Sequence, residues 1–158
     1  MGDQIDWAKE REEQQQIVAR VRALPIDAAW REVRSAIHHS KAHRLEEEQF
    51  VIYEGATHVS PPLPYELFDF FIHDWGVAAA DCLVQHVTDP HPAVAGYCIY
   101  GLFELNDSRL PAAALRMLDR CEHIRAGCGS FYWTGTLGDY ARKLRAEYIE
   151  DRQLDRDV

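Results

Sequence analysis

LVQHVTDPHPAVAGYCIYGLFEL, residues Leu83 to Leu105, reads as one helix, a proline-locked corner and a second helix in antiparallel return. Proline lacks a backbone donor and drives the residue before it out of the α region, so Asp89-Pro90-His91-Pro92 ends the first helix. Pro92 suits the opening position of the next helix, where its missing N–H would have had no partner, and Asp89 or His91 is placed to meet the exposed donors. Beyond the corner Val94, Cys98, Gly101, Leu102 and Leu105 fall on one face at helical spacing, and Gly101 admits the close approach of another helix.

This segment resembles a HEAT-like repeat, in which an Asp closes the first helix and a Val five residues on opens the buried face of the second. Those positions are Asp89 and Val94, and the resemblance extends from about Ala78 to Asp107. The basic residue that such repeats commonly carry just after the Val is Ala95 here, so the usual contact from that side chain to the Asp is not available. The resemblance implies an all-α fold, a HEAT-like stack of antiparallel helix pairs. With no second copy of the motif in the chain, an irregular helical bundle is the alternative.

Upstream, Ile17, Val18, Val21 and Leu24 form the apolar stripe of a first helix that Pro25 breaks. Asp27 begins a second, predicted to reach His43 with Ala29, Trp30, Val33 and Ile37 facing inward. The loop at 54–64, EGATHVSPPLP, separates these N-terminal helices from the HEAT-like part, and the apolar run from Tyr65 to Trp75 predicts a central helix. Downstream, Pro111 opens a helix whose Leu115, Leu118, Cys121 and Ile124 share a stripe, closed by Gly127-Cys128-Gly129. SFYWTGTLG can form a short extended piece before helical spacing resumes at Leu137, Tyr140, Leu144 and Tyr148, with residues 153–158 expected to fray. Strand-like alternation is nearly absent, so the expectation is one all-helical domain over 1–158.

At 158 residues the chain is long enough to hold a real core, and a domain of this size buries about 70% of its unfolded surface. The polar, acidic start and the lack of any apolar run of about 20 residues predict a soluble, cytoplasmic protein without a membrane span. Cys82, Cys98, Cys121 and Cys128 lie in or beside apolar stretches with no Cys-x-x-Cys pair, and read as buried thiols. Cys82 and His86, four apart, have no third group in sequence to orient the imidazole for thiolate chemistry.

The net charge is −9, and it is unevenly spread. Between residues 51 and 110 eight carboxylates face a single basic residue, Arg109. Such a field repels phosphate backbones and steers cations, which argues against nucleic acid and for a basic protein partner. Glu66, Asp69, Asp74, Asp81, Glu104 and Asp107 are the candidate contacts, with Tyr132 and Trp133 in the glycine-flanked aromatic run as anchors. Glycine-rich nucleotide loops and serine-nucleophile elbows do not occur in the sequence.

His39, His43 and Glu47 recur every four residues, and on one unbroken helix they would share a face able to meet a divalent metal. The reading that follows is a non-catalytic protein-binding module, with no cofactor, whose acidic helical surface engages a basic protein. An immunity- or antitoxin-type inhibitor of a basic toxin is its concrete form. The alternatives are a helical metal-dependent hydrolase using His39, His43 and Glu47, and a structural subunit of an oligomer; the oligomeric state is not legible in the sequence.

Overall fold

The computed structural model describes residues 6–40, 44–45, 49–55, 62–128 and 131–156. Helices dominate. The carboxylate of Asp6 accepts the Lys9 N–H at 3.1 Å and so starts α1 (Trp7–Arg22), and Pro25 precedes α2 (Ile26–His39), which buries Ala29, Trp30, Val33 and Ile37 as the stripe requires. Apolar on nearly every side, α3 (Leu63–Trp75) packs against both α1 and α2, so the helices on either side of the 54–64 loop share one core. Gly76 ends α3 and starts α4 (Val77–His86) at φ 50°, a conformation that strains any residue with a Cβ.

The corner after α4 is held from three directions. Asp89 is buried; one oxygen accepts the His91 N–H at 2.9 Å, and the other receives Arg34 Nε from α2 at 2.7 Å. The cationic contact that Ala95 cannot make thus comes from a helix distant in sequence. Arg120 adds bonds to the Asp89 and Pro90 carbonyls at 2.8 and 3.1 Å. Then α5 (Pro92–Glu104) returns antiparallel to α4 through the middle of the molecule, buried from Pro92 to Leu102. A Cβ at Gly101 would stand 2.6 Å from both Leu83 Cδ1 and Phe68 Cζ, which is why α3, α4 and α5 approach so closely there.

The all-α expectation holds for most of the chain and omits a sheet. The helix expected from Pro111 through Ile124 stops early: α6 (Leu110–Leu115) ends in turns, and Ile124 lies in a strand. Four strands, β1 (Arg44–Leu45), β2 (Gln49–Tyr53), β3 (His123–Cys128) and β4 (Phe131–Thr136), form one sheet in that order. The central pair, β2 and β3, is parallel, with Phe50 opposite Ile124 and Ile52 opposite Ala126; the outer pairs are antiparallel. The chain closes with α7 (Leu137–Arg156), which runs beyond Arg152 with residues 151–156 exposed.

One face of the sheet joins the helical core. Ile52 lies against Gly96 of α5, and Ile124 and Ala126 are fully buried in the same cluster as Val21, Phe68, Tyr97 and Tyr140. Among the described residues no helix is long and apolar enough to cross a membrane.

Candidate functional site: an acidic face around Tyr65 and Tyr100

The six carboxylates singled out by charge divide into two groups. Asp74 takes a bidentate pair from Arg22 at 2.8 and 3.0 Å. Arg109 serves both others: Asp81 at 2.7 Å, and Asp107 at 2.9 and 3.0 Å. The Arg109 bonds hold the Asp107 carboxyl below its ordinary range. These three have their counter-charge already.

Glu66, Asp69 and Glu104 differ. Glu66 and Asp69 are three apart on α3 and share a face, and among the described residues the Asp69 carboxylate pairs only with the His73 ring, which donates to the Asp69 backbone carbonyl at 2.7 Å and lies 3.3 Å from the carboxylate. Among the described residues neither Glu66 nor Glu104 has a cationic partner. Asp69 and Glu104 converge electrostatically on two tyrosines. Burial, then the charges of Asp69 and Glu104, push the Tyr65 hydroxyl up to about 12; burial, Glu104 and further neighbours raise Tyr100 as well.

Glu54, at the end of β2, completes this face and was missed as a site residue. Its carboxylate accepts the Tyr140 hydroxyl at 2.5 Å, and its backbone carbonyl accepts the Tyr100 hydroxyl at 2.7 Å. The only signal in the sequence was an acidic residue entering the loop at 54–64. Tyrosines on a helix flank gave no hint that two hydroxyls, those of Tyr100 and Tyr140, would gather near one strand end.

Tyr132 and Trp133 point to opposite faces of the sheet, as neighbours on a strand do. Trp133 turns inward onto Tyr140, ring centroids 5.6 Å apart, and covers Gly135. Tyr132 turns outward, with the Arg125 guanidinium 4.0 Å above its ring.

The helical face required for a metal at His39, His43 and Glu47 is corrected by the backbone. After His39, α2 ends and Ser40 is extended at ψ 126°, with Arg44 already in β1. His43 and Glu47 themselves lie outside the described residues. His39 instead donates its Nδ1–H to the Ser35 carbonyl at 2.9 Å, and among the described residues no group of His, Cys, Asp and Glu is arranged to hold a metal ion. His38 touches the rings of His39 and His91 at 4.8 and 4.6 Å, and Phe50 sets its edge against His91 at 5.3 Å. Burial, with His38 next, pushes His91 down to about 4, and its Nδ1 is buried without a hydrogen-bond partner among the described residues. Burial raises the Cys82 thiol, the opposite of what a nucleophile needs, while His86 packs on Trp30 at 5.1 Å.

In comparisons with known proteins, no family model, no curated protein and no solved structure matches the chain.

Proposed function

We propose that the protein is a non-catalytic, cytoplasmic binding module that engages a basic protein through Glu66, Asp69 and Glu104 around Tyr65 and Tyr100. The observation that carries this reading is the division of the carboxylates: Asp74, Asp81 and Asp107 have internal arginine partners, whereas Glu66 and Glu104 have none among the described residues. Two glutamates and an aspartate with solvent-accessible carboxylates suit the lysine or arginine of a partner by charge complementarity. The HEAT-like reading of α4 and α5 belongs to the same proposal, as does its concrete form, an immunity- or antitoxin-type inhibitor of a basic toxin.

The test pairs capture with charge neutralisation. Full-length protein immobilised as bait should retain a basic protein from its host, and Glu66→Gln/Glu104→Gln should weaken that association at least about tenfold while Asp74→Asn leaves it unchanged. Equal retention by all three proteins, or a retained partner whose binding does not fall with added salt, would sink the reading.

A further inference from the structure

We propose that the acidic face takes up a lysine of the basic partner, with the ammonium between Asp69 and Glu104 and the Tyr65 hydroxyl as its third acceptor, and that it selects lysine over arginine. The inference rests on the proposed function and names the residue type that the face recognises.

Two helices carry the same pair of residues one turn apart. Tyr65 and Asp69 stand at i and i+4 on α3, and Tyr100 and Glu104 do the same on α5. Phe68 joins the two: a Cβ at Gly101 of α5 would stand 2.6 Å from its Cζ, and its ring centroid lies 6.4 Å from that of Tyr100. The hydroxyls differ in what they have free. Tyr100 donates to the Glu54 carbonyl at 2.7 Å and keeps only lone pairs. Tyr65 is 8% exposed, makes no hydrogen bond among the described residues, and has the carboxylates of Asp69 and Glu104 as the first charges acting on its hydroxyl. Tyr148 also lacks a hydrogen bond among the described residues, but a cation, Arg152, already lies 4.6 Å over its ring.

Glu104 points to a cation independently. It lies in the last turn of α5, where the helix carbonyls already gather partial negative charge and where no basic residue occurs. Past that end Arg152 bonds the Asn106 carbonyl at 3.4 Å, and among the described residues no lysine or arginine pairs with Glu104. A carboxylate at the negative end of a helix dipole is repelled by it, and a bound cation offsets both. The acceptors, two carboxylates and a phenol oxygen, belong to separate side chains on two helices. An ammonium is a compact charge with three rotatable donors that can serve all three, whereas a planar guanidinium is met best by a single carboxylate in its own plane.

Heteronuclear NMR on the full chain, following the Asp69 and Glu104 amides, tests this with end-blocked Gly-Lys-Gly-Lys-Gly against the same peptide with arginine in place of lysine. The expected result is saturable binding, at least about fivefold tighter for the lysine peptide. Tyr65→Phe keeps the ring and removes the acceptor; it should bring the lysine peptide down to the level of the arginine peptide, whose own affinity stays unchanged. Tyr148→Phe, which also removes an unbonded hydroxyl, should alter neither. Arginine bound as tightly as lysine, or a lysine preference that survives Tyr65→Phe, overturns the inference; if Glu66→Gln/Glu104→Gln still weakens both peptides, the basic-partner reading stands without it. Binding of neither peptide, or undiminished binding of both by that double variant, overturns the two together. The wild-type comparison of the peptides decides the matter even where a variant fails to fold.

Discussion

His91 shows how one side chain couples the corner to pH. It packs on His38 of α2, whose ring also meets His39, with Arg34 on the same helix, Asp89 within its own turn and Phe50 of β2 at its edge. Burial and the neighbouring imidazole lower its folded pKa to about 4, and burial lowers His86 as well. An unfolded histidine titrates near about 6.5, so below that value the unfolded chain binds more protons than the folded one. The stability these two groups contribute is therefore complete above about pH 6.5 and is lost as pH falls toward 4. Urea midpoints measured at steps from pH 7.5 to 5 should decline in the wild type, and His91→Gln should flatten a good part of that decline. An unchanged slope in the variant would place the acid sensitivity elsewhere.

At the scale of elements, the decisive tie is between α2 and the α4–α5 corner. The Asp89 carboxylate is 4% exposed and rests on Arg34 and on the His91 N–H. Arg34→Met leaves a buried carboxylate short of its charged donor, and a lost hydrogen bond of that kind costs about 2–3 kcal/mol. Adding Asp89→Asn to Arg34→Met should recover part of the loss, because an amide is cheaper to bury than an unpaired charge. Equilibrium unfolding of the single and double variants measures both quantities. Recovery is the telling result, since a pair that acted only through packing would show none.

At the scale of the whole molecule, the sheet and helices share one apolar cluster, running from Val21 through Ile52 and Ile124 to Tyr148. Trp30 lies in the helical part and Trp133 beside the sheet. A single core with long-range pairing between β2 and β3 unfolds as one unit. Far-UV circular dichroism and tryptophan fluorescence should therefore give coincident urea transitions. Two separated midpoints would show that the sheet and helices melt independently. The acidic face depends on this unity as well: Glu54 directly follows β2, Asp69 comes from α3 and Glu104 from α5, and only a shared core brings them near Tyr65 and Tyr100.

Local chemistry written in adjacent residues was enough for the corner and for most of the helices, though not for where α2 and α6 end. Pro92 and Gly76 act within one turn of chain, and the stripe Ala29, Trp30, Val33, Ile37 needs only helical periodicity to predict its burial. The sheet was invisible for the converse reason. Segment 49–53 is a short, largely apolar run and 123–128, HIRAGC, is only six mixed residues; each is too short to separate helix from strand by periodicity, and their pairing is decided by each other across the length of the chain. The same distance hid the arginines of the carboxylates: Asp74 finds Arg22, and Asp89 finds Arg34, only after folding. Net charge and its concentration in the middle third follow from composition alone. Which of those charges remain uncompensated is a property of three-dimensional neighbours, and the tertiary structure alone separates Glu66 and Glu104 from Asp74, Asp81 and Asp107.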